Sequence, residues 1–246
     1  MNILSAGTVF LILTFASSSA AESVFESDII STSPARIRIG FIGHGTLLFH
    51  YNHMVIHIDP VSRYADYSKM PKADVILVTH HHGDHFDKKA IQEIMKPDTV
   101  LILTETCARD IPNGLVMKNG DVKEVMGIRV EAVPAYNIVH KRENGQPFHP
   151  RGEGNGYVLN LAEKKIYIAG DTENIPEMKN LKSIDCAFLP MNLPYTMTPE
   201  MVAQAAHMFH PKILYPYHFG DTNVQELIRL MKDDKAIEVR IKKGRV

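Results

Sequence analysis

Residues 75–87 read VILVTHHHGDHFD, and the reading of this stretch decides the fold. Val75, Ile76, Leu77 and Val78 form a short apolar run of the kind that makes a buried strand. The chain then changes character at His80, His81, His82, Gly83, Asp84 and His85, a His-x-His-x-Asp-His pattern. Three imidazoles and a carboxylate within six positions at a strand end suit zinc and related divalent metals. Gly83 is expected to let the backbone turn there. Each of these groups is costly to bury unpaired, so a core would not gather them without a use.

Working outward, three further residues stand where apolar strands end: Asp59 in VIHIDP, Asp171 in YIAGDT and His218 in LYPYHFGDT. Pro60 stops its strand and leaves Asp59 at the tip. Asp171 has a second reading, as the N-cap of a helix over residues 175–180.

Together these pieces resemble the metallo-β-lactamase superfamily, over roughly residues 37–223. Within it, GHGTLLF, IDPV, VPAY, AGDT and LPMNLPYTMTP resemble the stand-alone hydrolases that include the ascorbate-6-phosphate lactonases. The resemblance implies an α+β fold, the αββα four-layer sandwich, with the site between two halves. It implies that His80 and His82 hold a first metal with a third histidine. Asp84, His85 and His218 would hold a second metal, and Asp171 would bridge the two. Asp59 would support the metal loop without ligating, by holding the far nitrogen of a ligand histidine. His44, in Gly43-His44-Gly45, is either a neighbour of the site that meets substrate or a plain turn residue.

The third histidine is where the chain departs from the pattern. Relatives carry it directly after VPAx, whereas this chain has Asn137 there. An amide oxygen is a poor zinc ligand beside imidazole. His140 and His149 are the candidates in the same loop. His140 sits among Lys141, Arg142 and Glu143, which reads as solvated surface. His149 lies between Pro147 and Pro150, which stiffen the backbone, and the glycines after it return the chain to a strand. His149 is therefore the expected ligand, His140 the second choice and Asn137 a hydrogen-bonding neighbour.

The implied chemistry is hydrolysis of a small ester, lactone or phosphoester. Two ions about 3.5–4 Å apart can share a hydroxide, and zinc lowers the pKa of a bound water to about 7. Asp84 would accept or relay a proton. Superfamily members with redox di-iron centres carry a carboxylate where His82 stands, so two zinc ions are expected, with manganese or iron as alternatives. Two other classes compete: an iron-dependent oxygenase on the same fold, and a metal-binding protein without catalysis. The expected partner is a small-molecule substrate.

Composition narrows the field. The 246 residues carry a formal net charge of -1, so no basic field speaks for nucleic acid. Hydrophobic residues make up 45%, enough for a substantial core. The 2 cysteines, Cys107 and Cys186, are too few and too far apart for a zinc knuckle or disulfide scaffold. Cys186 reads as a core thiol and Cys107 as a residue open to solvent. A pairing of the two is chemically possible and nothing in the sequence favours it.

Residues 1–21 read as a secretory signal peptide. An apolar run over residues 9–16 is followed by the small residues of SSSAA. Export is the expectation, with an uncleaved N-terminal anchor as the alternative, because no Lys or Arg precedes the run. Residues 22–34 read as a polar linker and the hydrolase domain as residues 35–246. Strands are expected at 36–41, 46–51, 54–59, 99–104, 121–125, 128–135, 157–161, 165–169, 186–190 and 213–215. Helices are expected at 88–95, 105–109, 199–209 and 223–231. The Gly152–Gly156 cluster precedes a strand rather than a helix, which rules out a dinucleotide loop. Residues 136–155 form the longest aperiodic stretch, the kind of loop that carries function. His50, His53, His57, His207 and His210 read as strand, turn or surface residues, and Lys242, Lys243 and Arg245 as a solvated tail. No repeat is visible in the sequence.

Overall fold

The computed structural model describes residues 24–33 and 35–245; the signal-peptide reading of residues 1–21 lies outside them. Fourteen strands among the described residues form two seven-stranded sheets. The first contains β1 (Glu26–Ser31), β2 (Arg36–Gly43), β3 (Thr46–Tyr51), β4 (Met54–Ile58), β5 (Val75–Leu77), β6 (Val100–Leu103) and β7 (Leu115–Val116), in that order. The second contains β8 (Val122–Val125), β9 (Ile128–Ala135), β10 (Gly154–Leu161), β11 (Lys164–Ile168), β12 (Cys186–Pro190), β13 (Ile213–Tyr217) and β14 (Glu238–Val239).

Each sheet begins as an antiparallel meander of four strands and continues with three parallel additions. The parallel strands need crossovers, and these carry the helices: α1 (Lys88–Ile94), α2 (Glu105–Ala108), α3 (Pro199–Phe209) and α4 (Val224–Met231). Asp87, Thr104, Thr198 and Asn223 cap them, each accepting from backbone N–H groups of the first turn.

Three apolar clusters make the layers. The central one joins the sheets face to face, with Ile37, Ile39, Phe41, Phe49, Ile56 and Ile58 meeting Tyr157, Leu159, Ile166, Ile168, Phe188 and Tyr215. A second packs Ala90, Ile91, Ile94 and Cys107 of α1 and α2 under the first sheet. A third packs Val202, Ala206, Phe209, Leu227 and Met231 of α3 and α4 over the second sheet. The architecture is the four-layer αββα sandwich that the resemblance implies.

Several local expectations are corrected. The supposed linker contains β1, whose Glu26–Ser31 pairs antiparallel with β2, so the folded body begins before residue 35. Its polar side chains find partners in the second half: Asp28 accepts from Tyr215 Oη at 2.9 Å and from Arg240 at 3.1 Å. The basic C-terminus is not a free tail. Lys242 pairs with Glu26 at 3.3 Å, and the Arg245 N–H donates to the Ile42 carbonyl at 2.9 Å. Strand β10 starts at Gly154 rather than 157, because Gly154–Gly156 pair with Val133–Ala135. The chain does turn at Gly83 as expected, without a left-handed backbone there. The turn is closed instead by the His82 carbonyl, which accepts from both His85 and Phe86 N–H.

Cys107 is buried, not open, and both thiols are free. Burial pushes Cys107 up to about 11 and Cys186 up to about 12. A thiol reagent at pH 8 should therefore titrate no cysteine in the folded chain and both after denaturation. Rapid labelling of Cys107 in the native protein would contradict this burial.

Candidate metal centre

The site assembles at the edge where strand tips of both sheets meet. His80 follows β5, Asp59 follows β4, Asp171 follows β11 by way of Gly170, and His218 follows β13. Two of these positions, and His44 beside them, carry backbone strain: Asp59, His218 and His44 hold φ values of 46°, 47° and 51°, the left-handed region that non-glycine residues avoid. Such strain costs about 1–3 kcal/mol each and persists only where surrounding contacts over-determine it. Here they do. The His218 N–H donates to the His44 carbonyl at 3.1 Å, locking the second half to the first. Gly45 is required beside it, because a Cβ there would lie 2.5 Å from His85 Cε1.

His85 is fully buried, and its Nδ1 donates to Asp59 Oδ2 at 2.7 Å. Asp59 is itself fixed by the Thr79 N–H at 2.7 Å and the Thr79 hydroxyl at 2.6 Å. That arrangement leaves His85 Nε2 aimed at Asp171 Oδ1, 3.4 Å away. Asp171 Oδ2 lies 3.1 Å from His149 Nε2, 3.5 Å from His218 Nε2 and 3.8 Å from His80 Nε2. Asp171 thus stands at the centre of the cluster and touches residues of both halves. It does not cap the following helical turn, Pro176–Asn180, which has no side-chain cap.

The ligand-capable atoms fall into three overlapping sets, each within 4.8 Å of one another: His80, His82 and His149; His44, Asp84, His85 and His218; and His80, His85 and Asp171. The structure therefore brings His149, and not His140, to His80 and His82. His140 Nδ1 instead stands 2.8 Å from Glu173 Oε1. Asn137 is the expected neighbour: its Oδ1 accepts from His149 N–H at 2.9 Å and from His149 Nδ1 at 2.6 Å. His44 lies at the rim, with Nε2 3.0 Å from Asp84 Oδ2, its ring 3.5 Å from that of His218 and stacked on Tyr64.

Electrostatics favour bound cations. Burial holds His80 well below its ordinary value, His82 at about 4 and His218 at about 3, so these rings are neutral at physiological pH. Burial also pulls on His85, but the Asp171 and Asp59 carboxylates outweigh it and push His85 up to about 9. Burial pushes Asp171 upward, yet His218, His85 and His149 hold it well below the carboxylate range. Asp84 is likewise low, since His44 and His85 overcome its burial.

A metal fits these residues. His85 Nε2, Asp171 Oδ1 and His218 Nε2 are buried and lack a hydrogen-bond partner. Leaving such an atom unsatisfied costs about 1–3 kcal/mol, and here His85 Nε2 lies 3.4 Å from Asp171 Oδ1 and shares a ligand-capable set with His218. His, Asp and no thiolate form the donor set of a zinc-type site.

The profile of the Beta-lactamase superfamily domain matches residues 38–218, which contain every one of these groups. The chain belongs to the metallo-β-lactamase superfamily. A UPF0173 metal-dependent hydrolase of Thermococcus onnurineus is 32% identical over 198 residues, covering 71% of this chain and 81% of the relative. One of Pelotomaculum thermopropionicum is 30% identical, covering 75% and 85%. A crystal structure of a candidate metal-dependent hydrolase from Parabacteroides distasonis is 50% identical, with a TM-score of 0.85, and covers 90% of this chain and 100% of that one. This member of the superfamily is, like them, a metal-dependent hydrolase.

Sequence reasoning missed Glu173, whose carboxylate holds the loop after β9, and Thr79, which fixes Asp59. No periodicity or motif marks either; Glu173 follows AGDT as an ordinary acidic residue.

Proposed function

We propose that this hydrolase holds two divalent ions, zinc in the first instance, and cleaves a small ester, lactone or phosphoester. One observation carries the reading: His80, His82 and His149 on one side, and Asp84, His85 and His218 on the other, both converge on Asp171. His80, His82 and His149 would hold one ion, Asp84, His85 and His218 the other, with Asp171 shared. Two such ions supply Lewis acidity and a water acidified to a pKa of about 7. No serine or cysteine nucleophile is then required.

The chain's own groups divide the remaining work. Asp59 fixes the His85 ring by accepting a hydrogen bond from its Nδ1–H. Asp84 is the exposed member of the set, its side chain 44% accessible, and His44 Nε2 stands 3.0 Å from it. The Asp84–His44 pair can therefore pass a proton between the cluster and solvent, or to a leaving oxygen. The substrate class follows from the chemistry and from the likeness of GHGTLLF and LPMNLPYTMTP to lactonase-like hydrolases. The exchange of a carboxylate for His82 favours hydrolysis over iron-dependent oxygenation.

Metal analysis and a screen of lactones and phosphodiesters test the reading together. The native protein should carry close to two zinc ions and lose all turnover on chelation. His149→Ala should lose about half the metal, whereas His140→Ala should keep it. Full turnover by the metal-free protein would reject the mechanism, and one iron without zinc would favour the oxygenase.

Export is proposed on the apolar run over residues 9–16 and the small residues after it. No helix among the described residues is long and apolar enough to cross a membrane. N-terminal sequencing from the native host should find a start near residue 21 or 22. Mature protein beginning at Met1 would overturn it.

A further inference from the structure

Glu173 is fully buried and no step proposed above uses it. Its carboxylate accepts from three successive backbone N–H groups, those of Ile138 at 2.7 Å, Val139 at 2.7 Å and His140 at 2.6 Å. It also accepts from Asn137 Nδ2 at 3.1 Å, and its own N–H donates to the Tyr136 carbonyl at 3.0 Å. A structural anchor would need only the backbone bonds. The fourth bond leads elsewhere.

Asn137 is 5% exposed, and its amide is oriented without ambiguity. Nδ2 faces two groups that can only accept, Glu173 Oε1 and the Tyr195 carbonyl at 2.9 Å. The amide oxygen must then face His149, where it meets both the N–H and Nδ1. An amide oxygen only accepts, so Nδ1 is the protonated nitrogen of His149. The lone pair is left on Nε2, the atom that faces Asp171 Oδ2 at 3.1 Å. In the neutral ring that nitrogen is free to hold a metal ion beside the Asp171 carboxylate.

We infer that Glu173 is a positioning residue for the first metal, acting through Asn137 to fix the tautomer and ring orientation of His149. The inference rests on the ligand set proposed above. It gives a use to Asn137, which stands where the resembled VPAxH pattern has a histidine: the position supports a histidine twelve residues further on. In metal sites at large, losing such a support costs about 10–100-fold in affinity.

Competitive titration of the metal-free protein with zinc and a chromophoric chelator tests this, alongside 15N NMR of the loaded protein. In the native chain His149 should show a single Nδ1-protonated tautomer. Glu173→Gln and Asn137→Ala should each weaken one zinc by about 10–100-fold and leave the other unchanged. Asn137→Ala should also erase the tautomer preference of His149. His140→Ala, which touches Glu173 but not His149, should bind both ions as the native chain does. If Glu173→Gln fails to fold, Asn137→Ala carries the test, since it leaves the loop's backbone bonds to Glu173 in place. Native affinity for both ions in Asn137→Ala, while His149→Ala loses one, would overturn the positioning role alone. Unchanged zinc binding in His149→Ala would overturn the ligand set beneath it. Equal weakening of both ions with lowered thermal stability would show a structural role only.

Discussion

Asp171→Ala should strip most of the bound metal and lower turnover by at least about 100-fold, the largest functional effect expected of any single substitution. The expectation follows from position. Asp171 is the one carboxylate that reaches His80, His149, His85 and His218, at 3.1–3.8 Å. In the ligand assignment proposed above, every other group would serve one ion, whereas this one would serve both. Its removal unites two losses: an anion among buried rings, and the carboxylate that stands 3.4 Å from His85 Nε2. Asp171→Asn separates them, keeping shape while losing charge, and should retain a fold that melts normally with metal content well below two. Elemental analysis with a turnover assay decides it. Two tightly held ions in Asp171→Ala would remove the central element of the proposed site.

Phe188→Ala should be the most damaging substitution for stability. Phe188 is fully buried on β12 and lies between the sheets. Its ring centroid is 6.1 Å from Phe41 and 5.8 Å from Phe49 in the first sheet, and 4.9 Å from Tyr215 and 6.0 Å from Tyr217 in its own. Deleting a buried phenyl ring costs about 3–5 kcal/mol, lost transfer energy and residual cavity together. A domain has only about 5–15 kcal/mol in hand. The melting temperature should fall by roughly 10 °C, given about 2–4 °C per kcal/mol at this size. Phe188→Leu should recover much of the loss. Thermal unfolding followed by circular dichroism measures both, and a near-native melting point for Phe188→Ala would mean that the joint between sheets can collapse around the gap.

The fold was legible because its strands are short apolar runs ended by Gly, Pro or Asp. Strand β12 and helix α3 coincide with the residues expected of them, since Pro190 and the Thr198-Pro199 cap punctuate the chain chemically. His149 was legible for a partial reason. The prolines and glycines said that the loop returns, but what brings His149 beside His80 and His82 is its mutual pairing with Asn137. The unforeseen features all depend on contacts distant in sequence. Strand β1 looks like a linker until Tyr215 and Arg240 supply partners for Asp28. The residues around Arg245 look like a free tail until Ile42 accepts the Arg245 N–H, although the Arg245 side chain stays exposed. Glu173 looks like surface acid until the loop closes over it. Periodicity reports which face a residue prefers and carries no record of such meetings.

The matching strand order of the two sheets gives Asp59 and Asp171 equivalent stations, each just beyond the last strand of a four-strand meander. In the folded molecule these counterparts grip opposite nitrogens of one ring, His85. The two halves thus place a carboxylate at the same station for different ends: Asp59 braces the ring from Nδ1, and Asp171 faces Nε2 and three further histidines. A change that shifts one half against the other would therefore move the two carboxylates apart and free the His85 ring before it disturbed either sheet.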